Sequence, residues 1–298
     1  MTGDGVHALE LGDVRLVVDS HSGGRITSFR LGGTEALTGP ELDPNNYGST
    51  LWTSPQSDWG WPPPAEFDDL PFVVTPDPGG AIAMTGPASG ALGVRLAKRF
   101  WADHALGAMV LEYAMQNVTA KPKRYALWEV SRVPAGALSF YATGTSLGGS
   151  LQLEQRAGGT WYAHDPRVLS QVGEKAYGDA GLGFLAHVLP GRVLFVKAFV
   201  NLPPGQHAPG EGAVEIYGND RYVEVEVQGP YAAIDPGAWS PPWAVRWYLR
   251  SIPAHVDPIL GNADLLAFAA GVADGTAPGR GSGPFASPPF DTAPTAAG

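Results

Sequence analysis

Tyr222-Val-Glu-Val-Glu-Val-Gln228 alternates apolar and polar residues without a break. Successive side chains of an extended chain point to opposite faces. Val223, Val225 and Val227 therefore share one face, and Tyr222, Glu224, Glu226 and Gln228 the other. The pattern predicts a half-buried strand of an antiparallel sheet. Two carboxylates in one row beside a tyrosine are also a candidate general base, although an ordinary outer sheet face alternates in the same way.

Neighbouring segments carry the same period. Residues 193–201 put Lys197 in a row between Phe195 and Phe199, an unusual position for a merely solvated lysine, although a stem covering apolar surface is the plainer account. Residues 127–132 set Trp128 and Arg132 against Glu129 and Ser131, and the period does not say which face is concave. In residues 92–101, Leu92, Val94 and Leu96 oppose Arg95, Arg99 and Trp101. Several strands thus offer a charge beside an aromatic ring, as a concave saccharide-binding sheet requires.

The stretch from Tyr47 to Pro64, YGSTLWTSPQSDWGWPPP, holds Trp52, Trp59 and Trp61. Pro55 and Pro62 to Pro64 restrict φ and disfavour helix before them, which predicts a stiff loop or edge. Three large rings among Ser54, Gln56, Ser57 and Asp58 suit a ligand that is apolar on one face and hydroxylated at its rim, as sugars are. The same rings could instead plug one end of a β-sandwich.

The remaining chain reads as strands and turns. Gly12-Asp13 predicts a two-residue hairpin between 6–11 and 14–18, and Gly23-Gly24 and Gly32-Gly33 bracket a strand over 25–31 in which Ile26, Ser28 and Arg30 oppose Arg25, Thr27 and Phe29. Residues 143–160, rich in Gly, Ser and Thr, read as loop with a possible short strand at Leu151 and Leu153. Residues 257–273 predict the one convincing helix, started by Asp257-Pro258 or by Asn262. The expectation is all-β: one antiparallel domain over 1–274 with a short C-terminal helix, then a flexible Pro/Gly/Ala-rich tail over 275–298.

Composition narrows the function classes. The 298 residues carry a net charge of -10, which argues against nucleic-acid or anionic-membrane partners. With no cysteine, disulfides, thiolate nucleophiles and Cys-ligated zinc are excluded. No cofactor and no metal is expected; the acidic cluster Glu66, Asp68 and Asp69 lacks a recognisable calcium-ligand spacing. MTGDGVHALE has no signal-peptide pattern, which predicts a cytoplasmic protein, or a secreted or periplasmic one whose signal was removed. Gly144-Thr-Ser-Leu-Gly148 matches a hydrolase elbow, but no helix pattern follows it, so Ser146 is not read as a nucleophile. Gly279-Arg-Gly-Ser-Gly283 lacks the context of a dinucleotide site.

Taken in order, GGRITSFRLGG, SPQSDWGWPPP, RYALWEVSRVP, VLFVKAF, YVEVEVQGPYAAIDPG and WAVRWYL resemble an uncharacterised family within the galactose-mutarotase-like group, over roughly residues 6 to 253. The resemblance implies a β-supersandwich with a carbohydrate site on its concave sheet. It also implies, by position in the motif, that Glu226 is the counterpart of the glutamate that takes the anomeric hydroxyl proton in the group's aldose 1-epimerases. The strand where those enzymes carry a catalytic histidine corresponds to residues 126–129, which hold none, and His104 is the nearest match to a second one. A general acid would have to come from His164, Lys197 or Tyr222.

Two readings follow. One is a carbohydrate-binding protein taking a small-molecule or oligosaccharide ligand, with Trp59 and Trp61 stacking and Arg99, Glu129, Arg132, Lys197, Tyr222 and Glu224 contacting substrate. The alternative is an aldose 1-epimerase-like isomerase with Glu226 as base. A weaker third, an accessory domain for acidic polysaccharide, would use Arg95, Arg99, Arg132 and Lys197 against carboxylates.

Overall fold

The computed structural model describes residues 5–275, so the expected tail lies, from residue 276 on, outside the described residues. β1 (Val6–Leu11) and β2 (Val14–Asp19) meet at the Gly12-Asp13 hairpin. β3 (Arg25–Leu31) turns into β4 (Thr34–Glu35), and β5 (Ser49–Ser54) leads into the tryptophan loop and the one-turn helix α1 (Ala65–Asp68). A meander follows: β6 (Val73–Thr75), β7 (Ile82–Thr85), β8 (Val94–Asp103) and β9 (Ala108–Asn117). Next come β10 (Lys123–Pro134), β11 (Leu138–Gly149), β12 (Glu154–Arg156), β13 (Gly159–Ala163), β14 (Glu174–Ala180), β15 (Phe184–Leu189) and β16 (Val193–Phe199). The last elements are β17 (Val214–Gly218), β18 (Tyr222–Gln228), β19 (Ala232–Ile234), β20 (Trp243–Ser251) and α2 (Ala263–Asp274).

These strands form two antiparallel sheets packed face to face. The first runs β1-β2-β3-β5-β10-β18-β17-β14-β11. The second runs β6-β7-β8-β9-β20-β16-β15-β11-β13-β12. Between them Phe29 of the first sheet packs on Phe195 and Trp247 of the second, with ring centroids 5.5 and 5.2 Å away. α2 covers the outer face of the second sheet, where Leu265, Ala269 and Val272 bury against Phe140, Leu194 and Val196. Its start is Asn262, whose side chain accepts from the Asp264 N–H at 2.9 Å, and it ends at Gly275 with φ 74°. Among the described residues no helix is long and apolar enough to cross a membrane.

The register explains where the inner row of charges went. Glu129 and Lys197, expected at the ligand, both face the inter-sheet core and are fully buried. Lys197 Nζ lies 2.9 Å from Glu129 Oε1 and donates to the Val225 carbonyl at 2.8 Å. Tyr113 Oη and Trp247 Nε1 donate to the two Glu129 oxygens at 2.6 and 2.9 Å. Burial lowers the Lys197 pKa, and the Glu129 carboxylate works against that.

Two departures from strict alternation have local causes. In β3, Val17 pairs with Ser28 but Val18 with Ile26, so Thr27 is an extra residue and the faces swap there. Ile26 and Phe29 are both buried as a result. Residues 143–149, expected as loop, are strand. The first half of β11 pairs in the second sheet and its end pairs with β14 in the first, with a register break between Thr143 and Leu147. Asp179 holds that break: its carboxylate accepts from the backbone N–H groups of Thr145 and Ser146 at 2.9 and 2.6 Å, and from both hydroxyls.

Burial opposes a charge on Asp179, but these hydrogen bonds hold its carboxyl down at about 2. Its folded pKa lies below the unfolded one, so its stabilisation is complete above about pH 4 and is lost as pH falls through about 2. Asp179→Asn is expected to cost on the order of 2 kcal/mol at neutral pH in denaturant unfolding. The gap to wild type should close on acidification, and a pH-independent gap would contradict this account.

Candidate functional site

The outward face of the first sheet is built from rows that the register fixes. Trp52 pairs with Trp128 and Trp128 with Gln228. Val130 pairs with Glu226 and Glu226 with Glu215; Arg132 pairs with Glu224, Glu224 with Tyr217, and Tyr217 with Lys175. Directly paired residues share a face. Trp128, Arg132, Glu224 and Glu226 are therefore on the face away from Glu129 and Lys197.

A cavity of about 580 Å³ lies over this face. Trp52, Trp128, Lys175, Tyr217, Tyr222 and Glu224 line it from five adjacent strands. The turn residues Asn219 and Arg221, together with Asp43 and Asn46, form one wall. Trp61 and Gln56 reach in from the tryptophan loop, and Gln171, Val172 and Gly173 from the segment before β14.

Asp68 of α1 anchors the loop. It accepts from Arg25 Nη2 and from Trp52 Nε1, each at 2.9 Å, and Arg25 also donates to the Tyr47 carbonyl at 2.9 Å. Trp59 is half-buried, with Nε1 donating to the Thr53 carbonyl at 2.8 Å and its ring against Trp52 and Trp128. It backs the cavity rather than lining it. Trp61 lies edge-on to Trp52 at 6.0 Å and is 59% exposed.

The floor is an ion cluster. Lys175 Nζ sits 2.5 Å from Glu215 Oε2 and 2.8 Å from Glu226 Oε2, over the Trp128 ring at 4.4 Å. Trp128 Nε1 donates to the same Glu226 oxygen at 2.8 Å, while Glu226 Oε1 is buried without a hydrogen-bond partner. Gln228 Nε2 donates to Glu215 Oε1 at 2.6 Å. Burial pushes Glu215 and Glu226 up, against the pull of the ammonium. Burial also works against the Lys175 charge, but the two carboxylates outweigh it and its pKa is raised. Two carboxylates converging on one ammonium favour a proton retained between them. Beside this cluster Arg132, fully buried, pairs with Glu224 at 2.7 Å and donates to Thr50 Oγ1 at 2.8 Å.

Of the residues singled out in the sequence, Trp61, Tyr222 and Glu224 line the cavity, and Trp59, Arg132 and Glu226 lie behind its surface. Arg99 is elsewhere, on β8 of the second sheet, paired with Asp77 at 2.8 Å. Arg95, Arg99, Arg132 and Lys197 therefore form no common basic surface. His164 is buried and uses both ring nitrogens, accepting from the Gly136 N–H at 2.9 Å and lying 2.7 Å from the Asn219 carbonyl. Ser146 Oγ donates to Asp179 at 3.0 Å, as part of the β11 clamp.

Lys175 is the residue the sequence concealed. β14 reads Glu-Lys-Ala-Tyr-Gly-Asp-Ala, with no large aliphatic side chain to mark a strand, although Lys175 and Tyr177 do alternate with Ala176 and Gly178. Val-Glu-Ile-Tyr in β17 carried a legible alternation that sets Glu215 and Tyr217 on the site's face.

Solved structures share this architecture. A galactose mutarotase-like protein from Lactobacillus casei ATCC 334 matches with a TM-score of 0.59, over 83% of this chain and 100% of that one, at 11% identity. The fold is galactose mutarotase-like. A protein from Escherichia coli K12 provisionally assigned as an aldose 1-epimerase matches with a TM-score of 0.56 over 83% and 99% of the two chains, at 12% identity. Another so assigned, from Klebsiella pneumoniae, gives 0.55 over 97% and 90%, at 10% identity. No family model and no curated protein matches the sequence. Within this galactose mutarotase-like frame, Glu226 stands late in the chain on a central strand of the cavity floor, sealed by Lys175 and Trp128.

The ion cluster predicts a signed pH effect. Lys175→Met leaves Glu215 and Glu226 buried without their cation. Their folded pKa values then stand further above the unfolded ones, so protonated carboxyls cost little near pH 5 and ionisation penalises folding as pH rises. The expected loss is about 3 to 5 kcal/mol at pH 8 and clearly less at pH 5, read from unfolding midpoints. A loss that is larger at pH 5 would refute the assignment.

Proposed function

We propose that this chain is a carbohydrate-binding protein that takes a neutral saccharide on the outward face of its first sheet. The observation that carries the reading is the cavity's combination of one exposed indole, Trp61, and a floor underlain by the buried indoles Trp52 and Trp128 with hydrogen-bonding groups beside them (Tyr222, Glu224, Lys175, Asn46). Such surfaces match the apolar faces and hydroxylated rim of a sugar ring.

The charges argue for a neutral ligand. Both cations of the lining are already engaged, Lys175 with Glu215 and Glu226 and Arg221 with Asp43 at 2.7 Å. Arg132 beneath them is taken by Glu224. An acidic or phosphorylated sugar would meet surplus carboxylate, Glu174 included, and no free cation among the lining residues.

Binding is favoured over catalysis because no histidine lines the cavity among the described residues, and the Lys175 ammonium and Trp128 indole cover Glu226. One observation keeps the aldose 1-epimerase reading as the second. Burial raises the Glu226 pKa, and its Oε1 is buried without a hydrogen-bond partner, which leaves one carboxyl oxygen uncommitted, as a general base requires.

Titration with a panel of neutral aldoses and glycosides should shift the intrinsic tryptophan fluorescence, and Tyr222→Phe should weaken binding about 3- to 10-fold, the scale of one hydrogen bond. NMR of freshly dissolved single anomers should show the spontaneous anomerisation rate with wild type and Glu226→Gln alike. A wild-type acceleration that falls by roughly 10² to 10⁴ in Glu226→Gln would instead establish the epimerase reading.

A further inference from the structure

We infer that the site takes an oligosaccharide rather than a single sugar, with Trp61 as the platform for a unit beyond the one held on the floor. The inference rests on the saccharide reading above and specifies its ligand. Its first ground is size. The lining strands β5, β10, β18, β17 and β14 stand side by side, and four spacings of about 4.8 Å give a floor about 19 Å wide along the sheet. That is more than twice the span of one pyranose ring. The volume of about 580 Å³ likewise lies in the range that holds ligands larger than a monosaccharide.

The second ground is that the aromatic surface comes in two tiers. Trp52 and Trp128 are each only 2% exposed and underlie the floor. Trp61 stands apart: its ring meets Trp52 edge-on at an interplanar angle of 78°, and it is the only tryptophan among the described residues that is more than half exposed. A Trp kept for packing buries its indole. This one is mounted on a rigid support, between Gly60 and Pro62 to Pro64, with α1 locked to Arg25 just beyond.

The third ground is the far rim. Val172, 84% exposed, lines the cavity from the segment before β14, and Tyr217 Oη holds that segment by donating to the Val172 carbonyl at 2.7 Å. Trp61 and Val172 are thus fixed apolar groups attached to the two outermost of the five floor strands. An aldose confined to the floor would touch neither of them together; a chain of sugars crossing the floor would cover both.

The full-length protein can be titrated calorimetrically with neutral gluco-, galacto- and manno-configured ladders from one to four units. In the best-bound configuration affinity should rise at least about 10-fold from one unit to three. Trp61→Ala, a substitution at an exposed position, should cut that ratio below about 3-fold, and Trp61→Phe should restore most of it. Equal affinity along the ladder, or a rise that Trp61→Ala leaves intact, would overturn the inference while the saccharide reading stood. Binding of no ladder member would remove the saccharide reading, and this inference with it.

Discussion

The Glu129–Lys197 pair ties the two sheets together at the level of the cavity. The lysine comes from β16 of the second sheet and the carboxylate from β10 of the first, and Tyr113 and Trp247 complete the carboxylate's hydrogen bonds from β9 and β20. A buried pair of this kind is weak evidence for net stability, but removing one partner leaves an uncompensated charge in the core. Its consequence is positional. Lys197 also binds the Val225 carbonyl, so β10 and β18 are held at one height over the second sheet. The side chains that alternate with Glu129 and Val225, namely Trp128, Glu224 and Glu226, must then point the other way, into the cavity floor.

On that floor a second charge cluster works differently. Lys175 arrives from β14 and spans two strands to reach Glu226, which sets one cation against two carboxylates and a tryptophan face. The cluster leaves the middle of the floor with no uncommitted cation and roofs the carboxylate. A ligand therefore meets indole, phenol and an occupied ammonium before it meets Glu226. On the saccharide reading proposed above, that order of access favours recognition by stacking and hydrogen bonding over proton abstraction.

Much of this was legible in the sequence, because a period of two is a strong signal. Tyr222 to Gln228 and residues 127–132 fix their rows without ambiguity. What alternation cannot give is the sign of a face: Trp128/Arg132 and Glu129/Ser131 are equivalent patterns, and only the packing of Phe195, Lys197 and Trp247 decides between them. For the same reason Lys197, flanked by phenylalanines, reads equally as a ligand contact and as a core residue. Other losses were local. A bulge at Thr27 reverses faces, the clamp at Asp179 turns a Gly/Ser/Thr run into strand, and β14 hides Lys175 among Ala and Gly. Asp43, Asn46, Asn219 and Arg221 stand on turns, where no period marks a shared surface.

The passage of β11 between the sheets also governs how this molecule meets its neighbours. A sheet normally ends in a strand whose unpaired backbone groups can recruit another chain. Here the last strand of the first sheet, Leu147 to Gly149, is the continuation of a segment embedded in the interior of the second. It cannot be peeled away or re-registered without opening both sheets, and Gly149, with φ 99°, twists its final residues out of line. The margin nearest β14 and Lys175 is thereby held in register by the interior of the other sheet, so exchanging that strand between copies would require both sheets to open.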